Sequence, residues 1–241
     1  MPEQHRHFFV YRAWMVHFYT SLGLVCALIA LTFIAAGNIK PALIILSLAM
    51  VIDATDGTLA RAWNVKKYTP QFDGRKLDDI TDYINYAFIP LYAAYRFGMV
   101  AGAGVAVLAV AAIAAAFGFC KSGAKTQNDT YTGFPNYWNV IIFYMYLFHF
   151  PPVVNEIILL IFSVLIWAPI EFISLSTKPL RKLTITIAIL YSLVIFGIIY
   201  LFWTDQPYTN LLWLSLFGPL YYIISAFYLR GKTGANLELA Q

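Results

Sequence analysis

Four aspartates, Asp53, Asp56, Asp78 and Asp82, fall within a stretch of thirty residues whose surroundings are strongly apolar. Asp53 and Asp56 are three positions apart and Asp78 and Asp82 four, so on helices each pair shares one face. Two such faces turned toward each other deliver four carboxylates to one place. Carboxylates at that density repel one another unless cations neutralise them, and their oxygens are the ligands that hard divalent ions prefer. The natural guests are two Mg²⁺ or Mn²⁺ ions. Arg61, eight positions after Asp53, falls near the same face, where it can contact a phosphate or orient a carboxylate. Gly57 and Ala60 lack bulk there and let a flat base or a diphosphate approach the backbone.

The elements that must position these residues are membrane helices. The 241-residue chain is 61% hydrophobic and 12% charged, with a mean hydropathy of +0.69. An ionised Asp near a bilayer core costs about 2.5–3.5 kcal/mol on insertion scales, so several together mark a functional site. Apolar runs near Trp14 to Ala36, Pro41 to Ala62, Asp78 to Phe97, Val100 to Cys120, Tyr137 to Phe150, Val153 to Ser174, Leu183 to Trp203 and Leu211 to Leu229 predict an all-α integral membrane protein, a polytopic bundle of about eight transmembrane helices. The fifth run is short and is followed by Pro151 and Pro152, which keeps counts of six or seven open. The first run is too long for a signal peptide and is expected to be retained. No repeat or linker divides the chain, so residues 1–241 read as a single membrane domain.

Placing the N-terminus in the cytoplasm puts fourteen of the sixteen Lys and Arg residues inside, leaving Lys40 and Arg96 outside. The acidic cluster then lies at the cytoplasmic ends of the second and third helices. The net charge of +4 follows from these inner loops, Lys121 and Lys125 among them, and requires no nucleic-acid partner. Cys26 and Cys120, both in apolar runs, read as buried free thiols.

The pattern Asp53-x2-Asp56-Gly57-x2-Ala60-Arg61, followed by Gly74-x3-Asp78-x3-Asp82, resembles the signature of the CDP-alcohol phosphatidyltransferases. These are integral membrane enzymes that join an alcohol to the phosphatidyl group of CDP-diacylglycerol or a related CDP-alcohol. The resemblance spans residues 53–82, about an eighth of the chain, and departs from the usual pattern in one respect. The spacer from Ala62 to Asp73 is twelve residues rather than about eight. That spacer, the chain length and the eight predicted spans resemble the bacterial branch of the family that condenses free choline with CDP-diacylglycerol. The resemblance implies a cell inner membrane enzyme in which Asp53, Asp56, Asp78 and Asp82 hold two divalent ions, Mn²⁺ or Mg²⁺, against the diphosphate. Asp82 also serves as the general base toward the acceptor hydroxyl. Gly57, Ala60, Arg61 and Gly74 bind the nucleotide and diphosphate, CMP leaves, and a homodimer is expected.

Choline is a quaternary ammonium, recognised by aromatic faces and a counter-ion. Candidates are Tyr83 and Tyr86 beside the carboxylates, Phe134, Tyr137 and Trp138 before the fifth helix, and Glu171, an acid within the sixth apolar run. Each aromatic has an ordinary alternative as a membrane-interface residue, and Glu171 has one as a partner of Lys178 or Arg181. Asp73 and Asp79 read as capping or solvated, Glu156 and Asp205 as outer-side residues, His17 as a hydrogen-bonded helix residue, and Phe8, Phe9 and Tyr11 as part of a surface amphipathic helix. Serine, inositol or glycerol phosphate remain alternative acceptors, although helices four to six lack the deep basic residues an anionic acceptor needs. From other classes, a membrane prenyltransferase leaves Gly57, Ala60, Arg61 and Gly74 unexplained, and a cation transporter predicts polar positions across the whole bilayer.

Overall fold

A computed structural model describes residues 3–121, 126, 129–178 and 180–238. The chain is helical, and among the described residues four segments are long and apolar enough to cross a membrane: His7–Ala35, Ile39–Ala62, Arg181–Trp203 and Thr209–Leu229. It is a membrane protein. Among the described residues the only strands are two of two residues each. The chain forms two compact units, one of Met1–Leu108 with Tyr137–Glu156, the other of Ala109–Asn136 with Ile157–Gln241.

In the first unit, α1 (Glu3–Ala35) and α2 (Ile39–Ala62) are joined by a turn in which Gly37 takes φ +81°. The Asn38 amide donates to the Phe33 carbonyl across this turn, a closure that favours glycine at the left-handed position. The two helices pack through small side chains, with Ala27, Ala30, Ala42 and Ala49 buried between larger neighbours such as Ile34 and Ile52. Lipid tails are as apolar as Leu, so close van der Waals contact between small residues is what holds membrane helices together. Cys26 is buried in this seam, whereas Cys120 is exposed, contrary to its expected burial.

The expectation of a separate amphipathic segment at Phe8, Phe9 and Tyr11 is replaced by one unbroken helix, because α1 already starts at Glu3. Its N-terminal stretch holds the twelve-residue spacer. That spacer folds as a short helix, α3 (Val65–Tyr68), and a loop to α4 (Gly74–Tyr83). Phe9 stacks on Tyr68 with centroids 5.0 Å apart, the Arg12 guanidinium lies 4.4 Å over the Trp63 ring, and Phe72 packs on both Trp14 and His17. The Thr69 hydroxyl donates to the Val65 carbonyl, so the Nε2–H of His17 is the donor in the 2.9 Å bond to Thr69 Oγ1. His17 is thus a hydrogen-bonded helix residue that fastens the spacer. The Asp73 carboxylate caps α4 by accepting from the Lys76 amide at 3.1 Å.

Gly74 is where this clamp meets the signature. A Cβ there would lie 2.7 Å from His17 Cε1 and 3.0 Å from Nδ1. Gly74→Ala is expected to lower thermal stability in detergent by about 1–3 kcal/mol through overpacking. On a His17→Ala background, where the ring is gone, the same substitution is expected to cost markedly less; equal losses on both backgrounds would show that the contact is not the cause.

The third predicted span is a composite of α4, a π-helical turn over Ile84–Phe88, and α5 (Ile89–Arg96). α7 (Trp138–Leu147) is short and stops before Pro151 and Pro152, as expected from the sequence. Between α5 and α8 (Pro152–Leu165), Asn155 donates to the carbonyls of Met99 and Phe150, and Glu156 accepts from the Ala101 amide, which pins the loop after α5.

The second unit holds most of α6 (Gly104–Cys120), β1 (Tyr131–Thr132), the end of α8, β2 (Glu171–Phe172), α9 (Arg181–Trp203), α10 (Thr209–Ser215) and α11 (Phe217–Glu238). One sequence expectation fails here. The sixth helix does not run to Ser174: α8 ends at Leu165, Pro169 prevents its continuation, and Glu171 lies in a strand paired antiparallel with β1, opposite Thr132. The eighth predicted span is matched by the membrane-length segment Thr209–Leu229, which is interrupted at Leu216, where Pro219 has no N–H and its ring would clash with the Ser215 carbonyl in an unbroken helix. Lys121 donates to the Thr132 carbonyl, and Lys125 lies outside the described residues.

Candidate active site

Three of the four acids converge. Carboxylate oxygens of Asp53, Asp78 and Asp82 lie within 4.8 Å of one another. Asp56 lines the same cavity, together with Ala49 and Ile52 of α2, Thr81 of α4, and Asn85 and Tyr86 of the π turn. Asp79, on the neighbouring face, is not one of the three convergent acids.

α1, which sequence reasoning left out of the site, forms a wall of this cavity through Thr20 and Gly23. Thr20 Oγ1 donates to Asp56 Oδ2 at 2.7 Å, and Asp56 is only 5% exposed. A Cβ on Gly23 would meet Thr81 Cγ2 at 2.5 Å, so glycine there lets α1 and α4 close together. The Gly23 carbonyl in turn accepts from Asn85 Nδ2 at 3.0 Å, as does the Thr81 carbonyl. Two carbonyl acceptors fix the orientation of the Asn85 amide, since only its nitrogen can serve them. Asn85 Oδ1 is consequently left without a hydrogen-bond partner although the residue is 4% exposed. An orphaned buried acceptor costs about 1–3 kcal/mol, and its place in the wall of an acidic cavity gives a bound ion, its water or a substrate donor something to meet.

The π turn begins two residues after Asp82 and brings Tyr86 to the same cavity. On an α-helix each step of four residues overshoots a full turn by about 40°, so Asp78, Asp82 and Tyr86 would drift round the cylinder. A π turn closes i→i+5 bonds and takes more residues per revolution, which counters that drift. The Tyr86 hydroxyl donates to Asp53 Oδ2 at 2.6 Å. This gives Tyr86, expected on the choline side, a direct contact with a carboxylate.

The remaining sequence candidates divide by unit. Tyr83 is half-buried at the end of α4, Tyr137 is exposed, and Trp138 is fully buried at the start of α7, all in the first unit. Phe134 is buried against Phe162 in the second. Glu171, also there, accepts from the Thr130 hydroxyl at 2.8 Å, a different partner from the Lys178 or Arg181 its position suggested. On α2, Arg61 folds back along the helix, donating to Thr58 Oγ1 at 3.2 Å. A Cβ on Gly57 would meet only Arg61 Nη1, at an ordinary 3.4 Å. Unlike Gly23 and Gly74, Gly57 is not demanded by packing within the protein.

A membrane cavity with three convergent carboxylates, a fourth held beside them, and an open glycine about one helical turn and an arginine about two turns after Asp53 defines the class of protein. The CDP-alcohol phosphatidyltransferase model matches residues 15–217, and the chain belongs to that family. Among curated proteins it is similar to the phosphatidylcholine synthase of Legionella pneumophila, with 34% identity over 86% of this chain and 83% of that protein. The phosphatidylcholine synthase of Borreliella burgdorferi is 37% identical over 76% of this chain and 79% of its own length. That of Rhizobium johnstonii is 30% identical over 89% of both. Family membership sets aside the prenyltransferase and transporter readings.

Proposed function

We propose that the protein is a phosphatidylcholine synthase, transferring the phosphatidyl group of CDP-diacylglycerol to free choline with release of CMP. The observation that carries this reading is the meeting of Asp53, Asp78 and Asp82 oxygens within 4.8 Å, in a family member whose similar proteins bear that name. At an effective dielectric of 20, each pair of carboxylate charges at that separation repels by about 3.5 kcal/mol, which divalent cations with oxygen preference relieve.

In this reading Asp53, Asp56, Asp78 and Asp82 hold two divalent ions, Mn²⁺ or Mg²⁺. Ions bound there neutralise diphosphate charge and ease the departure of CMP. Asp82 takes the proton from the choline hydroxyl as its oxygen attacks the β-phosphorus and the bond to the CMP oxygen breaks. Gly57, Ala60, Arg61 and Gly74 bed the cytidine and diphosphate, with the bare backbone at Gly57 open to close approach. Tyr83, Tyr86, Phe134, Tyr137, Trp138 and Glu171 are the acceptor-side candidates. Tyr86 leads them because it lines the cavity of the acids. The acyl chains of the substrate stay in the bilayer while its headgroup enters from the side.

The arrangement in the cell follows from charge. Eight spans in one domain of residues 1–241, with the N-terminus in the cytoplasm, put fourteen of sixteen basic residues and the acidic site on the inner face of a bacterial inner membrane. A homodimer is the expected assembly. The deciding experiment offers choline, serine, inositol and glycerol phosphate in parallel to purified protein with CDP-diacylglycerol and Mn²⁺ or Mg²⁺. Phosphatidylcholine is the expected product, and phosphatidylserine as the main lipid would overturn the choline assignment.

A further inference from the structure

We propose that Thr20 of α1, outside the signature, is a positioning residue that sets Asp56 for ion binding. The inference rests on the reading of the cavity as an ion site. Thr20 is buried, and its hydroxyl donates to Asp56 Oδ2, leaving the other carboxylate oxygen for the cavity that both residues line. The same arrangement recurs one turn back along α2, where the Tyr86 hydroxyl takes Asp53 Oδ2. Each acid of α2 is therefore held at one oxygen by a hydroxyl from a different element. Such bonds select one rotamer of a carboxylate before an ion arrives, and loss of comparable partners behind metal ligands costs about 10–100-fold in metal affinity or activity.

A hydroxyl between helices can also serve packing alone, and the fold contains its own control. The Tyr19 hydroxyl and Thr55 Oγ1 lie 2.8 Å apart, joining the same two helices one position along, and neither residue lines the cavity. If bonds between α1 and α2 matter only for helix association, losing either should have the same consequence. If Thr20 positions Asp56, only its loss reaches the ions.

The test measures Mn²⁺ binding by electron paramagnetic resonance on the full chain in detergent, alongside thermal unfolding and CMP release across a Mn²⁺ titration. Thr20→Val keeps the shape and removes the donor. It is expected to weaken Mn²⁺ binding about 10–100-fold and to shift the Mn²⁺ requirement of CMP release upward by a similar factor. Thr20→Ser, which restores a hydroxyl, is expected to recover most of both, and Tyr19→Phe to leave Mn²⁺ binding unchanged. Thr20→Ala removes the same donor if the valine variant does not fold. Wild-type Mn²⁺ affinity in Thr20→Val, or equal weakening in Tyr19→Phe, overturns the positioning role while leaving the ion site standing. Absence of Mn²⁺ binding in the unaltered protein overturns the ion reading, and the inference with it.

Discussion

Asp82→Asn is expected to cut CMP release from CDP-diacylglycerol and choline by about 10²–10⁴-fold, the usual reach of general acid–base catalysis. The substitution conserves size and polarity, so the helix and its neighbours have no steric reason to move, but an amide does not accept the hydroxyl proton. Asp82 also belongs to the convergent triad, and in the proposed ion site the loss of its carboxylate adds to the effect. The measurement is CMP release by purified protein, with thermal unfolding as the control for fold. A variant that unfolds like the parent yet retains more than about a tenth of its rate would exclude Asp82 as the base, because one lost order of magnitude is below what that role supplies.

Chelation of divalent ions is expected to abolish turnover altogether, and Mn²⁺ or Mg²⁺ to restore it. The physical ground is the mutual repulsion of the acids, which the chain itself leaves without a basic residue among those lining the cavity. A readout independent of turnover follows from linkage: an ion that binds the folded protein at one site raises its apparent stability by about 2.7 kcal/mol at a hundred times its dissociation constant. Mn²⁺ is therefore expected to raise the melting temperature of the parent, and to raise it less in Asp53→Asn or Asp78→Asn. Monovalent salt at equal ionic strength serves as the comparison. An unchanged melting temperature with Mn²⁺, together with full turnover in chelator, would remove the ions from the mechanism.

Much of the site was legible along the chain because it is written in local spacing. Asp53 with Asp56, and Asp78 with Asp82, are pairs whose common face depends only on helical periodicity; Asp53, Asp78 and Asp82 converge and Asp56 lines the same cavity. The bounds of α2 and α9, and the short helix before Pro151, were likewise readable from apolar run length and proline. An error came where one residue overrode a run. Hydrophobicity extended the sixth helix past Pro169 to Glu171, but a proline inside a helix removes a donor and clashes one turn back, and the freed segment found a strand partner in β1.

The contribution of α1 was not readable in this way. Thr20, Gly23 and His17 carry no local pattern that separates them from other small or polar residues of a membrane helix. Their roles arise from residues far along the chain: Asp56 for Thr20, Thr81 and Asn85 for Gly23, Thr69 and Gly74 for His17. The twelve-residue spacer illustrates the difference. Its length was visible in the sequence and pointed to one branch of the family, but its folding as α3 against the start of α1 depends on aromatic and cation–π contacts with Phe9, Arg12 and Trp14.

By itself the sequence determined that this is a membrane protein, which family it belongs to, and which acids meet, because composition and short-range spacing decide those matters through solvation and helical geometry. Only the tertiary structure decided what stands behind the acids: a hydroxyl on each carboxylate of α2, a glycine that lets α1 close on α4, and a π turn that brings Asn85 and Tyr86 to the cavity. Those are consequences of packing between segments distant in the chain, where a contact depends on the position of two helices at once and no single stretch of residues encodes it.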